Sequence, residues 1–445
     1  MEVSPKEYYS HLYPYDKLVH LLTYNGNDLA SIEFAIEGLS PAGDKFYRRF
    51  VSVKSAKQLK AEVSNFPYVK TFHFGAVYSG KPSSSARVSA PVQRVLSFDI
   101  DLTDKEWIPL KEKGDDISLP LCDKAWPVCA ASIDILKRIL KLAFGYTQVL
   151  AVYSGRRGAH IHVFDEGAMR LSSEARAAIV NYVNGTTGKD KLRSTSGVHL
   201  VMKMHNLRKH VYRLFKLWFV NRMGILDSLD DRNTFLNRLD LYKYDSLTDV
   251  MDTLVGDVMD KEHAVHAWEC IVQKLEGVKD RAPWVIDRLD CAVLFYVWPI
   301  LDTKVTGDIA HLTKVPFACH AKTGRVSCAI NVDLPGSFQP DEGAPSLVSW
   351  NQDSMDEALS HFHNIGVSDY VAEERHRALQ ESGTVPNTHA ITDQVMRDLE
   401  RKAEEALCDV EDLVEAPPPP PKQTKAALPR KLTFKRKKSP LIPEA

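Results

Sequence analysis

The segment LSFDIDLTD, residues 96–104, alternates strictly between apolar and polar side chains. Successive side chains of a β-strand point to opposite faces, so this alternation predicts a strand. Its apolar face is uninterrupted, which places the strand in the core of a sheet: Leu96, Phe98, Ile100 and Leu102. Asp99 and Asp101 share the other face with Ser97, roughly 6–7 Å apart at their Cα atoms. Carboxylate oxygens are the ligands that hard divalent cations prefer, and the alternative is a pair of solvated acids on an edge strand.

A second segment, AVYSGRRGAHIHVFDE at residues 151–166, runs from an apolar strand through a glycine-punctuated turn into another strand. The two glycines of SGRRG allow backbone N–H groups to point inward, an arrangement that favours phosphate. Arginine side chains add forks of N–H groups that suit phosphate oxygens. The donors of the turn and of the second strand are Ser154, Arg156, Arg157, His160 and His162. Taken alone, the segment is also compatible with a solvated surface hairpin, a metal site or a histidine pair of a phosphoesterase.

A third carboxylate and more basic residues come much later in the chain. In WPILDTKV, Pro299 ends the preceding apolar segment, so residues 300–303 are predicted to be extended and to expose Asp302. The segment HLTKVPFACHAKTGR follows and places Lys314 and His320 on either side of VPFAC. The proline bend in VPFAC is expected to turn both residues toward a common side.

The periodicities predict an α/β fold of mixed α+β character, in which a mostly helical insertion interrupts a sheet core. The chain has 445 residues, of which 44% are hydrophobic, enough for two or three domains. Strand patterns occupy residues 73–80, 93–102, 147–155, 159–164, 300–305 and 324–332. One helix is predicted over 130–145, and another from Ser172 or Ser173 to Gly185.

These patterns divide the chain into five predicted segments. They are a first part of the core (1–185), a helical insertion (186–285), the remainder of the core (286–350), a helical and polar segment (351–415), and a disordered tail rich in proline and basic residues (416–445). Five consecutive prolines in the tail are expected to form an extended spacer. Residues 422–438 contain eight Lys or Arg and no acid, which indicates a nuclear-localisation or DNA-contact segment rather than a merely solvated tail.

The composition says more about the cellular compartment of the protein than about its binding partners. The start MEVSPKEYYS lacks the apolar core of a secretory signal, and the run CAVLFYVWPIL is too short to span a bilayer. Seven scattered cysteines suit a reducing compartment, so a soluble intracellular protein is expected. The net charge of −1 excludes a global basic field, but a local basic groove is enough to bind phosphates.

The order FDID, then SGRRGAH, then LD followed by HLTKVPFACHAKTGR resembles the catalytic small subunit of the archaeo-eukaryotic DNA primases, and the eukaryotic branch is the closer likeness. YPY near the N-terminus, FGAVYSGKP and DEGAMRLSSEARAAIVNYV fit the same family. The resemblance covers roughly residues 8–335 and is faint within the helical insertion. It implies a primase-type mixed-sheet catalytic core. It also implies a DNA-directed RNA primase that makes short RNA primers on single-stranded DNA by two-metal nucleotidyl transfer.

The resemblance also implies roles for single residues. Asp99, Asp101 and Asp302 are similar to the catalytic carboxylates that bind two Mg²⁺ or Mn²⁺ ions. The residues similar to the family's nucleotide-binding set are Ser154, Arg156, Arg157, His160, Lys314, His320 and Arg49 in YRRFVSV. His162 stands where the family varies and is expected only to support the site. The substrates implied are ribonucleoside triphosphates.

Two departures from the family pattern matter. Eukaryotic members usually carry a four-cysteine zinc site after the metal-binding aspartates, but this region contains only Cys122 and Cys129. Four N or S ligands are the norm for structural zinc, so no zinc is expected, and packing around Trp126 should stabilise the region instead. The family often has an acidic residue two positions before the glycine of FHFGAVYSG, where this chain has His73.

The resemblance implies a heterodimer with the primase large subunit, often joined to DNA polymerase alpha, a single-stranded DNA template with its RNA primer, no membrane, and a nuclear location. Three alternatives stay open at this point. One is a repair-type primase-polymerase of the same superfamily, another is a histidine-based phosphoesterase that uses His160 and His162, and the third is an inactive nucleic-acid-binding subunit.

Overall fold

The computed structural model of the chain describes residues 2–108, 118–185, 195–244 and 247–362. Nine strands form two sheets within these ranges: β1 (Ile32–Leu39), β2 (Lys45–Val51), β3 (Tyr68–Tyr78), β4 (Pro91–Gln93), β5 (Leu96–Asp101), β6 (Val149–Tyr153), β7 (Gly158–Val163), β8 (Thr313–Lys314) and β9 (Ala329–Ile330). Helices and sheets share one chain segment and one hydrophobic core, so the predicted α/β class with α+β character is confirmed.

The helices before the predicted insertion are α1 (Pro5–Glu7), α2 (Tyr15–Thr23), α3 (Ala56–Ser64), α4 (Leu119–Lys124), α5 (Trp126–Phe144), α6 (Glu166–Met169) and α7 (Ser173–Asn184). Those that follow are α8 (Thr195–Met204), α9 (Leu207–Leu214), α10 (Leu229–Arg238), α11 (Thr248–Met259), α12 (Ala264–Gly277), α13 (Trp284–Val297), α14 (Thr303–Gly307), α15 (Pro340–Gly343) and α16 (Gln352–Phe362). Single π-helical stretches cover Tyr8–Leu12 and Phe215–Arg222.

The first sheet has the strand order β2-β1-β3-β4, and β8 also pairs with β3. The second sheet has the order β5-β7-β6-β9. Every strand pair among the described residues is antiparallel. The short strand β8 brings Lys314 opposite His73 of β3, so a residue from the far end of the chain enters the first sheet.

Strand β5 is the element predicted from alternation, and it forms as expected. Leu96, Phe98 and Ile100 are at most 4% exposed. Helix α5 packs against β5 and against its neighbour β7, and it buries an apolar stripe that repeats every three or four residues. This packing anchors the strand, so its polar face is held rigidly on the opposite side of the sheet.

Helix boundaries follow the predicted signals. The predicted helix over 130–145 lies within α5, which ends at Gly145 in the left-handed conformation (φ 72°). Helix α7 begins after Ser172, whose hydroxyl oxygen accepts the Ala175 N–H, and ends at Gly185 (φ 67°). Helices α8 to α12 occupy the described part of the predicted insertion, and α13 begins at its end and runs into the predicted remainder of the core. The predicted domain boundaries themselves stay predictions.

The strand predicted over 300–305 is wrong. Thr303–Gly307 forms the short helix α14, because the Asp302 carboxylate accepts the Lys304 N–H (2.7 Å) and caps the helix. Most of the predicted segment 351–415 and the whole tail 416–445 lie outside the described residues. In the ranges that are described, no helix has both the length and the apolar character needed to cross a membrane.

Candidate active site

The antiparallel pairing of β5 with β7 brings the acidic and basic segments into contact. In this register Asp99 lies opposite His160 and Asp101 lies opposite Gly158. Directly paired residues of neighbouring strands point to the same face of the sheet, so the carboxylates and His160 share one face. His160 Nε2 lies 3.6 Å from Asp99 Oδ1.

The two aspartates of β5 have different surroundings. Burial, then the like charges of Asp101 and Asp302, raise the pKa of Asp99 to about 6. Asp101 instead accepts hydrogen bonds from the Thr103 N–H and hydroxyl at Oδ1 (both 2.8 Å) and from Arg157 Nε at Oδ2 (2.9 Å). Asp101 is therefore held in a fixed orientation, whereas negative charge at Asp99 is poorly compensated.

Asp302 approaches the same face from α14, which packs against β5. Its side chain is exposed and caps α14. The backbone of the preceding residue, Leu301, makes two hydrogen bonds with the Asn184 side chain. The Asn184 amide donates to the Leu301 carbonyl (2.9 Å) and accepts the Leu301 N–H (3.1 Å). The end of α7 thus fixes the position of the third carboxylate.

The SGRRG turn between β6 and β7 is closed by its own serine. Ser154 N–H donates to the Gly158 carbonyl (2.9 Å), and the Gly158 N–H donates to Ser154 Oγ (3.1 Å). Gly155 has φ 93°, and a Cβ on it would lie 2.7 Å from His320 Cβ. Only glycine fits there, so the turn requires Gly155 both for its conformation and for its contact with His320.

Lys314 and His320 meet this turn from the other side. Lys314 Nζ donates to the Ser154 carbonyl (3.0 Å), and the Thr323 hydroxyl donates to the Gly155 carbonyl (2.8 Å). The prediction that Lys314 and His320 face a common side is confirmed, because both line the same cleft.

The basic side chains that line this cleft destabilise one another's charged forms. Burial and the neighbouring Lys314 lower the pKa of His160 and of His320 to about 4. Burial lowers the pKa of Lys314 itself to about 8. Crowded basic groups of this kind bind anions well, because an anion relieves both the desolvation and the mutual repulsion.

A cleft of about 430 Å³ lies between the acidic and basic groups. It is lined by eight of the residues predicted for the site: Asp99, Asp101, Ser154, Arg156, Arg157, His160, Lys314 and His320. Asp302 is not among the residues that line the cleft, but its charge acts on Asp99. The roles predicted for these residues stay predictions, but the structure does bring them together.

Arg49 is not among the residues that line the cleft. Its guanidinium donates to the carboxylate of Glu33 (2.9 and 3.2 Å) and to the Ala310 carbonyl (3.3 Å). Glu33 is fully buried and also accepts the Tyr78 hydroxyl (2.9 Å). Glu33 was not predicted from the sequence, since its position in the apolar strand β1 gives no sign of a partner. Nucleotide binding by Arg49 stays a prediction.

The two histidines that were not assigned to the site lie in different places. His162 is fully buried, and its Nδ1 lies 3.0 Å from Ser97 Oγ, so it supports the sheet beneath the cleft. His73 lines the cleft and lies opposite Lys314 in the pairing of β3 with β8. Burial lowers its pKa to about 4, so a neutral imidazole stands where the family often has an acid.

The region in which the family usually has a zinc site is closely packed in this chain. Cys122 and Cys129 are both buried, in α4 and at the start of α5. Trp126 is 1% exposed, donates its indole N–H to the Pro335 carbonyl (3.1 Å), and packs edge-on against Tyr153 and Phe338. The predicted stabilising role of Trp126 agrees with these contacts, and the expectation of no zinc stays a prediction.

A cluster of His199, Asp287 and Asp290 lies on the helices that precede α14, with possible ligand atoms within 4.8 Å of one another. Asp290 is 1% exposed, and Arg208 Nε and the Tyr212 hydroxyl both donate to it (2.8 and 2.5 Å). A guanidinium already neutralises this carboxylate, so the cluster is an ion-paired link between helices α8, α9 and α13.

The aspartates of the cleft are better suited to a divalent cation. They supply only oxygen donors, the type that Mg²⁺ and Mn²⁺ prefer. The raised pKa of Asp99 has like charges among its causes, and a cation would remove that repulsion. The residues present therefore fit the divalent metal expected from the sequence.

Sequence comparisons relate the chain to known proteins. A sequence model described as DNA primase small subunit matches residues 98–332, just over half of the chain. The DNA primase small subunit of Schizosaccharomyces pombe is 29% identical over 351 residues, which are 75% of this chain and 74% of that protein. That of Saccharomyces cerevisiae is 28% identical over 369 residues (77% and 83%), and that of the archaeon Thermococcus onnurineus is 28% identical over 247 residues (54% and 62%). The chain belongs to the DNA primase small subunit family.

Proposed function

We propose that this chain is the catalytic small subunit of a primase and that it joins ribonucleotides on a single-stranded DNA template in the cleft between Asp99 and Lys314. Membership of the family makes the chain a primer-synthesising primase subunit. The observation that carries the catalytic proposal is that aspartates of β5 face basic residues of the SGRRG turn, of β7 and of residues 314–320. We call the aspartates, together with Asp302 at the start of α14, the acidic wall, and the basic residues the basic wall. Such a pair of walls suits a metal-bound triphosphate.

The acidic wall consists of Asp99, Asp101 and Asp302. The family implies the use of divalent metal ions, and these three carboxylates would hold them. When bound, the ions supply neutralisation of phosphate charge and a lower pKa for the attacking 3′-hydroxyl. The chain's own contribution is orientation: Thr103 and Arg157 hold Asp101, and Asn184 holds the backbone in front of Asp302.

The basic wall binds the triphosphate. Arg156 and Arg157 offer forked N–H donors, and Lys314 offers a point charge that is tied to the SGRRG turn through the Ser154 carbonyl. His160 and His320 complete the wall, and a bound anion favours their protonated forms. The attacking oxygen belongs to the nucleotide, so these residues act by positioning and by stabilising charge on the departing pyrophosphate.

The phosphoesterase alternative is disfavoured by the position of His162. A pair of catalytic histidines must both reach the phosphate, but His162 is fully buried and contacts Ser97. For partners, we propose the primase large subunit in a heterodimer, together with the DNA polymerase alpha complex, and a nuclear location. The basic tail that favours the nucleus lies outside the described residues.

The test is primer synthesis on an unprimed single-stranded DNA template. The full-length chain, alone and with a large subunit, is incubated with labelled ribonucleotides and Mg²⁺ or Mn²⁺. We expect a template-dependent ladder of short RNAs that alkali destroys. Reactions without template or with a chelator serve as controls. Release of phosphate from simple monoesters, with no RNA product under any condition, would instead support the phosphoesterase.

A further inference from the structure

The segment VPFAC, residues 315–319, joins the two residues that complete the basic wall, Lys314 and His320. Its central residue, Phe317, has φ 65°, in the left-handed region that bulky side chains rarely adopt. A strained backbone of this kind persists only when surrounding contacts enforce it. The supports of this turn therefore decide where Lys314 and His320 lie.

Three tyrosines from the first thirteen residues supply such supports. The Tyr8 hydroxyl donates to the Phe317 carbonyl (2.8 Å), and the Tyr13 hydroxyl donates to the Pro316 carbonyl (2.7 Å). The Cys319 N–H donates to the Tyr9 hydroxyl oxygen (3.0 Å). Three backbone groups of one short turn are thus bound by side chains about 300 residues away in sequence.

The three tyrosines form a rigid unit. They are 0%, 1% and 5% exposed, and their rings pack on one another at centroid distances of 5.3, 5.8 and 6.0 Å. Burial raises the pKa of all three phenols well above the usual value. They stay protonated at neutral pH, so Tyr8 and Tyr13 remain donors to the turn.

A small shift of the turn would reach the nucleotide site directly. Lys314 Nζ contacts the Ser154 carbonyl, and His320 packs so closely on Gly155 that a Cβ there would lie at 2.7 Å. Both residues that flank the turn are therefore in contact with the SGRRG segment, so a displacement of the turn would change these contacts.

We propose that Tyr8, Tyr9 and Tyr13 form a clamp, made of their three hydroxyl groups, that positions Lys314 and His320 for triphosphate binding. The inference rests on the proposed role of these two residues in the basic wall. The tyrosines are positioning residues, since they touch the backbone of the turn and not the nucleotide.

The experiment removes one hydroxyl at a time from the full-length chain, in Tyr8→Phe and Tyr13→Phe. The ring packing is kept, so only the hydrogen bond to the turn is lost. Primer synthesis is measured against ribonucleotide concentration, and the affinity for a fluorescent nucleoside triphosphate is measured separately. We expect KM and Kd to rise about fivefold for each variant, the size of one lost buried hydrogen bond, with kcat almost unchanged.

Tyr15→Phe is the matched control. Its hydroxyl belongs to the same buried cluster but donates to the Tyr9 carbonyl (2.9 Å), within the N-terminal segment itself. This variant should lose thermal stability like the others while KM stays at the wild-type value. Equal KM values for Tyr8→Phe, Tyr13→Phe and Tyr15→Phe would overturn the clamp, since all three hydroxyls would then be merely structural.

Lys314→Met separates the clamp from the function on which it rests. If Lys314→Met leaves KM and Kd unchanged, the proposed basic wall itself is wrong. If it raises both while Tyr8→Phe does not, only the clamp is wrong. In the double variant Tyr8→Phe/Lys314→Met, the loss of binding free energy should be smaller than the sum of the losses in the two single variants. The reason is that the clamp acts through Lys314, which the double variant lacks. Tyr13→Phe, at the least buried of the three tyrosines, takes the place of Tyr8→Phe in the cycle if that variant does not fold.

Discussion

At the scale of single residues, Asp99 shows how the cleft is prepared for a cation. Its position opposite His160 and near Asp101 concentrates negative charge that Arg157 and His311 only partly compensate, and its pKa is raised to about 6. Asp101 has its own donors in Thr103 and Arg157. The two carboxylates on one strand face therefore have different roles in stability as well as in binding.

Asp99→Asn should separate function from stability. The amide has the same shape but no charge, so primer synthesis should fall by at least about a hundredfold because the cation loses a ligand. Without metal, the thermal midpoint should rise, since a carboxylate with a raised pKa destabilises the folded state when it ionises. Primer synthesis on unprimed template and thermal melts in a chelator measure the two effects.

Asp104→Asn is the control for this prediction. Asp104 is an exposed carboxylate three positions beyond the end of β5, and it is not among the residues that line the cleft. Its variant should keep most of the primer synthesis. Wild-type activity in Asp99→Asn would contradict the assignment of this residue to the acidic wall.

At the scale of elements, the β5–β7 ladder determines which side chains meet. Gly158 is essential to it, because a Cβ at this position would lie 2.2 Å from the Ile100 carbonyl oxygen. The strands must approach closely there for Asp101 to pair with Gly158 and Asp99 with His160. The glycine that ends the SGRRG turn is thus required by the sheet as well as by the turn.

Gly158→Ala should therefore push β5 away from β7. We expect a drop of several degrees in the thermal midpoint and a loss of primer synthesis greater than the loss of stability explains, since the acidic and basic walls separate. Gly167→Ala is the matched control, because a Cβ on Gly167 would meet nothing within 4 Å. A fully stable and active Gly158→Ala protein would show that the strands are free to adjust.

The short helix α14 shows how a local interaction overrides a pattern. Residues 300–305 look like a strand because they contain Ile, Thr and Val, which favour sheets. The Asp302 side chain instead accepts the Lys304 N–H and starts a helical turn. Its place beside β5 depends on Asn184, a contact across more than a hundred residues that no local pattern contains.

At the scale of the whole molecule, buried and half-buried histidines make stability depend on pH. Burial lowers the pKa of His73, His160 and His320 to about 4, and that of His162 well below its usual value. Unfolding restores the usual pKa near 6.5, so below that pH the unfolded chain binds more protons and the free energy of unfolding falls. Burial also lowers the pKa of His311, and Asp99, which acts in the opposite direction, is outnumbered by these histidines.

The thermal midpoint of the ligand-free chain should therefore fall steadily as the pH is lowered from about 6.5 to about 4. His162→Gln should flatten this dependence, with His73→Gln as the second choice if the first does not fold. His11→Gln, at an exposed histidine, should leave the slope unchanged. A midpoint that is constant across this range would contradict the burial of these imidazoles.

The sequence by itself determined the short-range features of this protein. The period-two alternation of LSFDIDLTD determined which face carries Asp99 and Asp101, and the capping residues determined the ends of α5 and α7. Motif order was enough to indicate the family that residues 98–332 match. These features depend on neighbours within a few residues, so they can be derived from local stereochemistry.

Only the tertiary structure decided which of these segments meet. The register of β5 against β7, the pairing of β8 with β3 and the grip of Tyr8, Tyr9 and Tyr13 on residues 316–319 all join distant parts of the chain. The ion pair between Arg49 and Glu33 and the burial of His162 were likewise decided by the tertiary structure. Such contacts depend on the packing of the whole core, because close-packed side chains and paired buried polar groups are properties of the assembled fold and not of any one segment.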